Sequence, residues 1–119
     1  MGWRTKSNKP TNKWVGLEIE RTDIILKIRE DVDLKDLEKY GFKKVGEFYI
    51  RKYDFKQTFN YYQKFYIRIR NLSNYAYYKE IQDCAEDKLG FVHQNYENVG
   101  LEDKIQDLIK SYLVVKVVE

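Results

Sequence analysis

Residues 48–70 read FYIRKYDFKQTFNYYQKFYIRIR, and their period of two decides the fold. Phe48, Ile50 and Lys52 alternate with Tyr49, Arg51 and Tyr53, and Tyr61, Gln63, Phe65, Ile67 and Ile69 alternate with Tyr62, Lys64, Tyr66, Arg68 and Arg70. Successive side chains of a strand point to opposite faces, so the two runs predict two β-strands with one buried and one outward parity. Asp54 to Asn60 are expected to form the hairpin loop between them. Ile67 and Ile69 then fill the interior. Tyr49, Arg51, Tyr53, Tyr62, Lys64, Tyr66, Arg68 and Arg70 gather on one aromatic and basic face.

Such a face has more than one use. Rings on a pleated surface stack bases at roughly 1–3 kcal/mol each, and interleaved cations meet phosphates. Tyrosine and arginine are also preferred anchors of protein interfaces. A third arrangement covers the face with a helix and runs the basic methylenes along its edge.

Upstream, Asp33 can cap a short helix, with Asp36 three residues on, Leu34 and Leu37 inward and Lys39 near its end. Gly41 supplies a left-handed stop after which Phe42 folds back. Earlier still, Val15, Leu17 and Ile19 alternate with Gly16, Glu18 and Glu20, while Ile24, Leu26 and Ile28 share a side. These two runs are expected to pair as a hairpin through Arg21, Thr22 and Asp23. Residues 1–13 show no periodicity and carry Arg4, Lys6 and Lys9 with Lys13, which predicts a flexible basic arm.

Downstream, Tyr78, Ile81, Ala85 and Leu89 follow a helical period that Gly90 ends. Leu101, Ile105, Leu108, Ile109 and Tyr112 form a second helical stripe, with Glu102 and Asp103 in its first turn and Lys110 in its last. The branched run Leu113 to Val118 predicts a final strand returning to the sheet. The expected fold is α+β: one domain over residues 14–119, with a mostly antiparallel sheet, one short helix and two longer ones.

A chain of 119 residues is long enough for one hydrophobic core, and 43% apolar residues with a single proline exclude a disordered composition. The net charge of +3 conceals a division. Residues 41–71 carry eight Lys or Arg against Glu47 and Asp54, whereas residues 72–119 carry five against nine acids. No run of 18 apolar residues is present, and the first residues lack a signal peptide's apolar core, so a cytoplasmic protein away from membranes is expected.

Catalytic chemistry finds little support. Cys84 is the only cysteine and His93 the only histidine, which leaves no zinc set and places no serine or cysteine in a nucleophile turn. His93 has Tyr96 and Glu97 nearby, yet fits a surface or core-edge histidine better than a general base. Glu18, Glu20, Asp23, Glu30, Asp31 and Asp33 cluster around the first hairpin, where two or three carboxylates can hold Mg²⁺. The strand parity of Glu18 and Glu20 and the capping position of Asp33 account for them otherwise. No catalytic residue, metal site or cofactor is expected.

Two resemblances bear on function. Leu37-Glu38-Lys39-Tyr40-Gly41-Phe42-Lys43-Lys44-Val45-Gly46-Glu47-Phe48-Tyr49 resembles the late helix-to-strand segment of the GCN5-related acetyltransferases. That family binds acetyl-coenzyme A through an arginine- or glutamine-led glycine-rich turn, which has no counterpart upstream here. The scarcity of alanine, at Ala76 and Ala85 alone, beside abundant Lys, Asn, Ile and Tyr resembles small phage or mobile-element proteins of AT-rich Gram-positive bacteria, including anti-CRISPR-like inhibitors. This resemblance implies a non-enzymatic inhibitor or adaptor of a host protein that acts on nucleic acid. Direct binding of single-stranded DNA or RNA is the alternative. A structural role is a third, with Val114, Val115, Val117 and Val118 pairing at a sheet edge in a homodimer.

Overall fold

A computed structural model describes residues 24–59 and 61–118. Strand β1 (Ile24–Ile28) leads into a 3-10 helix (Leu34–Tyr40), followed by β2 (Lys43–Val45), β3 (Phe48–Thr58), β4 (Tyr61–Arg70), β5 (Ile81–Asp87) and β6 (Val92–Asn95). Helices α1 (Asn98–Lys104) and α2 (Gln106–Lys110) precede β7 (Val114–Val118). Strands β2 to β6 form a five-stranded antiparallel meander in chain order, and β1 pairs antiparallel with β7. A bridge between Lys27 and Glu80 sets this ribbon beside the start of β5, where the Ile28 amide donates to the Lys79 carbonyl at 3.0 Å. The fold is therefore α+β, with antiparallel pairing throughout the described strands.

One face of the meander, here the inner face, is buried against the helices. Tyr49, Ile67, Ile69 and Ile81 pack there with Leu26 and Ile28, with Leu34, Leu37 and Phe42, and with Leu101, Ile105 and Leu108. The 3-10 helix follows its sequence signals. Asp33 accepts from the Lys35 amide at 3.0 Å, and Gly41 stops the helix at φ +88°, a region where a Cβ is strained. Phe42 then donates its amide to Leu37 at 3.3 Å and is buried, worth about 2–3 kcal/mol of transfer free energy.

Several expectations need correction. The helix expected along the Tyr78, Ile81, Ala85 and Leu89 stripe is largely β5. Its Ile81 and Asp83 are buried on the inner face and its Gln82 and Cys84 on the outer one. A strand buried on both faces loses the apolar–polar alternation, so a chance helical spacing is left to mislead. Leu89 belongs to no helix and is exposed. Gly90, at φ +89°, serves a turn in which the Asp87 carboxylate accepts from the Leu89 and Phe91 amides.

The hairpin loop expected from Asp54 to Asn60 is strand through Thr58. The second helical stripe buries Leu101, Ile105 and Leu108 as expected, but the helix breaks at Ile105 (φ −125°, ψ 31°). Tyr112, at φ +61°, leaves the stripe for solvent.

The final strand, β7, pairs with β1 in a ribbon of its own and does not return to the five-stranded sheet as expected; the partner expected for β1, residues 15–20, lies outside the described residues, as do the basic arm and the carboxylates Glu18, Glu20 and Asp23. Among the described residues no helix is long and apolar enough to cross a membrane.

Candidate functional site

The register of β3 on β4 decides which of the expected surface residues meet. Near the hairpin tip, Thr58 pairs with Tyr61, Gln57 with Tyr62 and Phe55 with Lys64, so odd positions of β3 share a face with even positions of β4. At Tyr53 the ladder shifts by one residue, and beyond it Arg51 opposes Ile67 and Tyr49 opposes Ile69. An inserted residue transfers every later side chain to the opposite face. Tyr49, Arg51 and Tyr53 are thus separated from Tyr62, Lys64, Tyr66, Arg68 and Arg70, and the single eight-residue face becomes two.

The inner set builds the fold. Tyr49 is buried, and desolvation, helped by the charges of Glu38 and Asp33, raises its phenol pKa. Arg51 reaches across to the helices: Nη1 donates to the Tyr40 carbonyl at 2.9 Å and to Asp107 Oδ2 at 2.7 Å, and Nη2 donates to the Lys104 carbonyl at 2.8 Å. Tyr53 Oη donates to Asp83 Oδ1 at 2.8 Å. The buried Asp83 carboxylate also accepts from Asn95 Nδ2 at 3.1 Å and lies 3.3 Å from Lys104 Nζ. Burial, then the Asp83 bond, drives the Tyr53 phenol pKa up, so Tyr53 remains a proton donor to Asp83.

The outer face carries the other five. Phe48 opposes Arg70, Ile50 stands between Lys43 and Arg68, and Lys52 opposes Tyr66, which opposes Cys84. Phe55 and Lys64 are followed by Glu86 on β5. The arginines and rings form a column. The Arg68 guanidinium lies 4.4 Å from the Phe48 ring centre, and that of Arg70 lies between Phe48 at 5.1 Å and Tyr75 at 4.6 Å.

Arg68 Nε donates to Gln82 Oε1 at 2.6 Å, which orients the plane. Arg70 Nε is buried without a hydrogen-bond acceptor. Among the described residues, Lys43, Lys52, Arg68 and Arg70 have no carboxylate within ion-pair distance, while Lys64 lies 3.8 Å from Glu86. Alongside, a cleft of about 520 Å³ runs past Gly41, Lys43, Ile50, Lys52 and Tyr66 to Lys64 and Glu86.

Not every ring on this face is free. Tyr66 is 6% exposed, with Oη donating to Glu86 Oε1 at 3.2 Å. Burial first, then the nearby Cys84 and Glu86, push its phenol up to about 12. Burial likewise pushes the Cys84 thiol up to about 11, the state of an unreactive thiol. Tyr62 is half-buried and meets Phe55 edge-on at 5.3 Å.

The sequence missed Phe48, Lys43, Lys52 and Tyr75 as members of this surface. Phe48 and Lys52 stand on the parity assigned to the interior, and nothing in the sequence near Tyr75 links it to Arg70.

His93 lies on exposed β6 with Nε2 3.3 Å from Asp87 Oδ2, not beside Glu97. Asp31 is held by Arg29 at 2.9 Å through Nε, and Asp33 is the helix cap. No three His, Cys, Asp or Glu residues among those described converge on a common point. No protein-family model, curated protein or solved structure matches the chain. A guanidinium stacked on a ring keeps its in-plane N–H groups directed at carboxylate or phosphate oxygens, with its orientation already set.

Proposed function

We propose that this chain is a small non-enzymatic binding protein, an inhibitor or adaptor, that holds an acidic surface of a protein partner on the outer face of its sheet. The observation that carries the reading is the Arg68–Phe48–Arg70–Tyr75 column, whose two guanidinium groups are oriented by rings and unpaired with any described carboxylate. A hydrogen bond to a charged group contributes about 1.5–3 kcal/mol, and stacking removes part of the ordering cost. Lys43 and Lys52 extend the positive field across the same face, where Lys64 offsets Glu86, and this field steers an acidic partner toward the face.

Protein is favoured over single-stranded nucleic acid because base stacking needs free ring faces. Phe48 and Tyr75 already face guanidinium groups, Tyr66 is buried, and Tyr49 and Tyr53 belong to the inner face. The class of partner follows the textural resemblance: a protein that acts on nucleic acid. Such enzymes often hold Mg²⁺ with carboxylate clusters, which have the sign this face selects.

Titration with labelled single-stranded DNA and RNA at low salt separates the two readings. The proposal expects no saturable binding. Tight binding whose salt dependence falls in Arg68→Glu/Arg70→Glu would replace it with direct nucleic-acid recognition.

A further inference from the structure

The outer face ends at an unfinished strand edge. Strand β2 covers β3 only from Phe48 to Ile50, whereas β3 runs on to Thr58 with β4 paired along its other side. Every residue from Lys52 to Phe59 is exposed, and no described strand pairs with this edge. In an antiparallel ladder alternate residues turn their N–H and C=O groups to opposite sides, so the edge presents backbone donors and acceptors outward. At Phe55 the amide has turned to the carboxylate of its neighbour Asp54, at 2.8 Å. Where β2 begins, the chain arrives through Gly41, and the cleft opens there with Ile50 and Tyr66 flanked by Lys43 and Lys52 and, on the far side, by Lys64 with its neighbour Glu86.

We propose that this edge is a strand-docking site. An extended acidic segment of the partner adds to β3 in line with β2 and antiparallel to β3, its backbone bonding to the edge between Lys52 and Thr58. Its outer-face carboxylates meet Lys43 and Lys52, which have no described carboxylate within ion-pair distance. This deepens, and rests on, the reading that an acidic protein occupies the outer face.

Charge selects the occupant. Edge lysines and a bulge are general devices against strand pairing, and here they act selectively. A second copy of this chain would bring an edge of the same sign, Lys52 and Lys56 against Asp54, whereas an acidic strand is attracted. Backbone pairing of this kind, with side-chain charge for specificity, is an established mode of peptide recognition.

The test uses the full chain and a labelled acetyl peptide of alternating Glu and Val, in two isomers of equal charge. One is N-methylated at every Val, which leaves the Glu amides free; the other is N-methylated at every Glu. In an antiparallel ladder, residues whose amides face β3 at its outward-bonding positions also place their side chains on the outer face, so docking requires free Glu amides. The proposal expects the Val-methylated isomer to bind at least tenfold more tightly and to slow hydrogen exchange at the β3 edge. Equal affinity would show attraction by charge alone, and absence of binding by either isomer would show no docking; either result overturns the proposal. If the isomers bind equally while Arg68→Glu/Arg70→Glu still abolishes partner capture, the edge assignment fails and the arginine face stands.

Discussion

At the scale of single residues, Lys79 shows how a side chain that reads as surface can become structural. It is 3% exposed, and Nζ donates to the carbonyls of Arg29, Glu30 and Val32 at 3.1, 2.9 and 2.7 Å, tying the end of β1 to the start of the 3-10 helix. Its backbone lies at φ +68°, where a residue with a Cβ is strained. Lys79→Ala removes the three bonds and retains the strain, so urea unfolding is expected to show a loss of about 3 kcal/mol. Lys79→Gly should lose about 1 kcal/mol less, because glycine relieves the backbone. An Ala variant as stable as the parent would mean that the carbonyl cage contributes nothing. Nothing in the sequence around Tyr77-Tyr78-Lys79-Glu80 distinguishes this lysine, because its partners lie about fifty positions away.

At the scale of elements, the strongest local patterns were legible and the register was not. The alternation of residues 48–53 and 61–70, the Asp33 cap with the Gly41 stop, and the branched run at the C-terminus all appear as elements. Their signals are local. The bulge at Tyr53 leaves no such signal, since Lys52, Tyr53 and Asp54 suit a strand with or without it. That one insertion moved Tyr49 and Arg51 to the helix side.

Strand β5 was illegible because burial on both faces erased its alternation, and Asp83 is tolerated inside only through Tyr53, Asn95 and Lys104. The contact between β3 and α2 is testable through pH. Burial alone would raise the Asp107 carboxyl, but the Arg51 hydrogen bond and charge outweigh it and hold the group below its ordinary range. A carboxyl depressed in the fold stabilises above its unfolded value, near pH 4, and that contribution disappears as pH falls through the folded value. Asp107→Asn should therefore lose stability at neutral pH and show a shallower decline below about pH 4. An unchanged acid limb would mean that the pair with Arg51 contributes no pH-dependent stability.

At the scale of the molecule, the basic stretch of residues 41–71 becomes spatial through the meander. The outer face gathers Lys43, Lys52, Lys64, Arg68 and Arg70 against the acids Glu86, beside Lys64, and Glu80, which accepts from Gln82 Nε2, while Asp83 and Asp107 are engaged on the inner side by Lys104 and Arg51. The candidate surface was thus legible in composition and half legible in membership, because five of the eight expected residues share the outer face. The most direct measurement is affinity capture from nuclease-treated host extract, comparing the parent chain with Arg68→Glu/Arg70→Glu and with Lys110→Glu on the helix side, after circular dichroism confirms that each is folded. A protein is expected to be retained by the parent and by Lys110→Glu, released at high salt, and absent with Arg68→Glu/Arg70→Glu. Retention of that protein by the double variant, or loss of all bound material on nuclease treatment, would contradict this expectation.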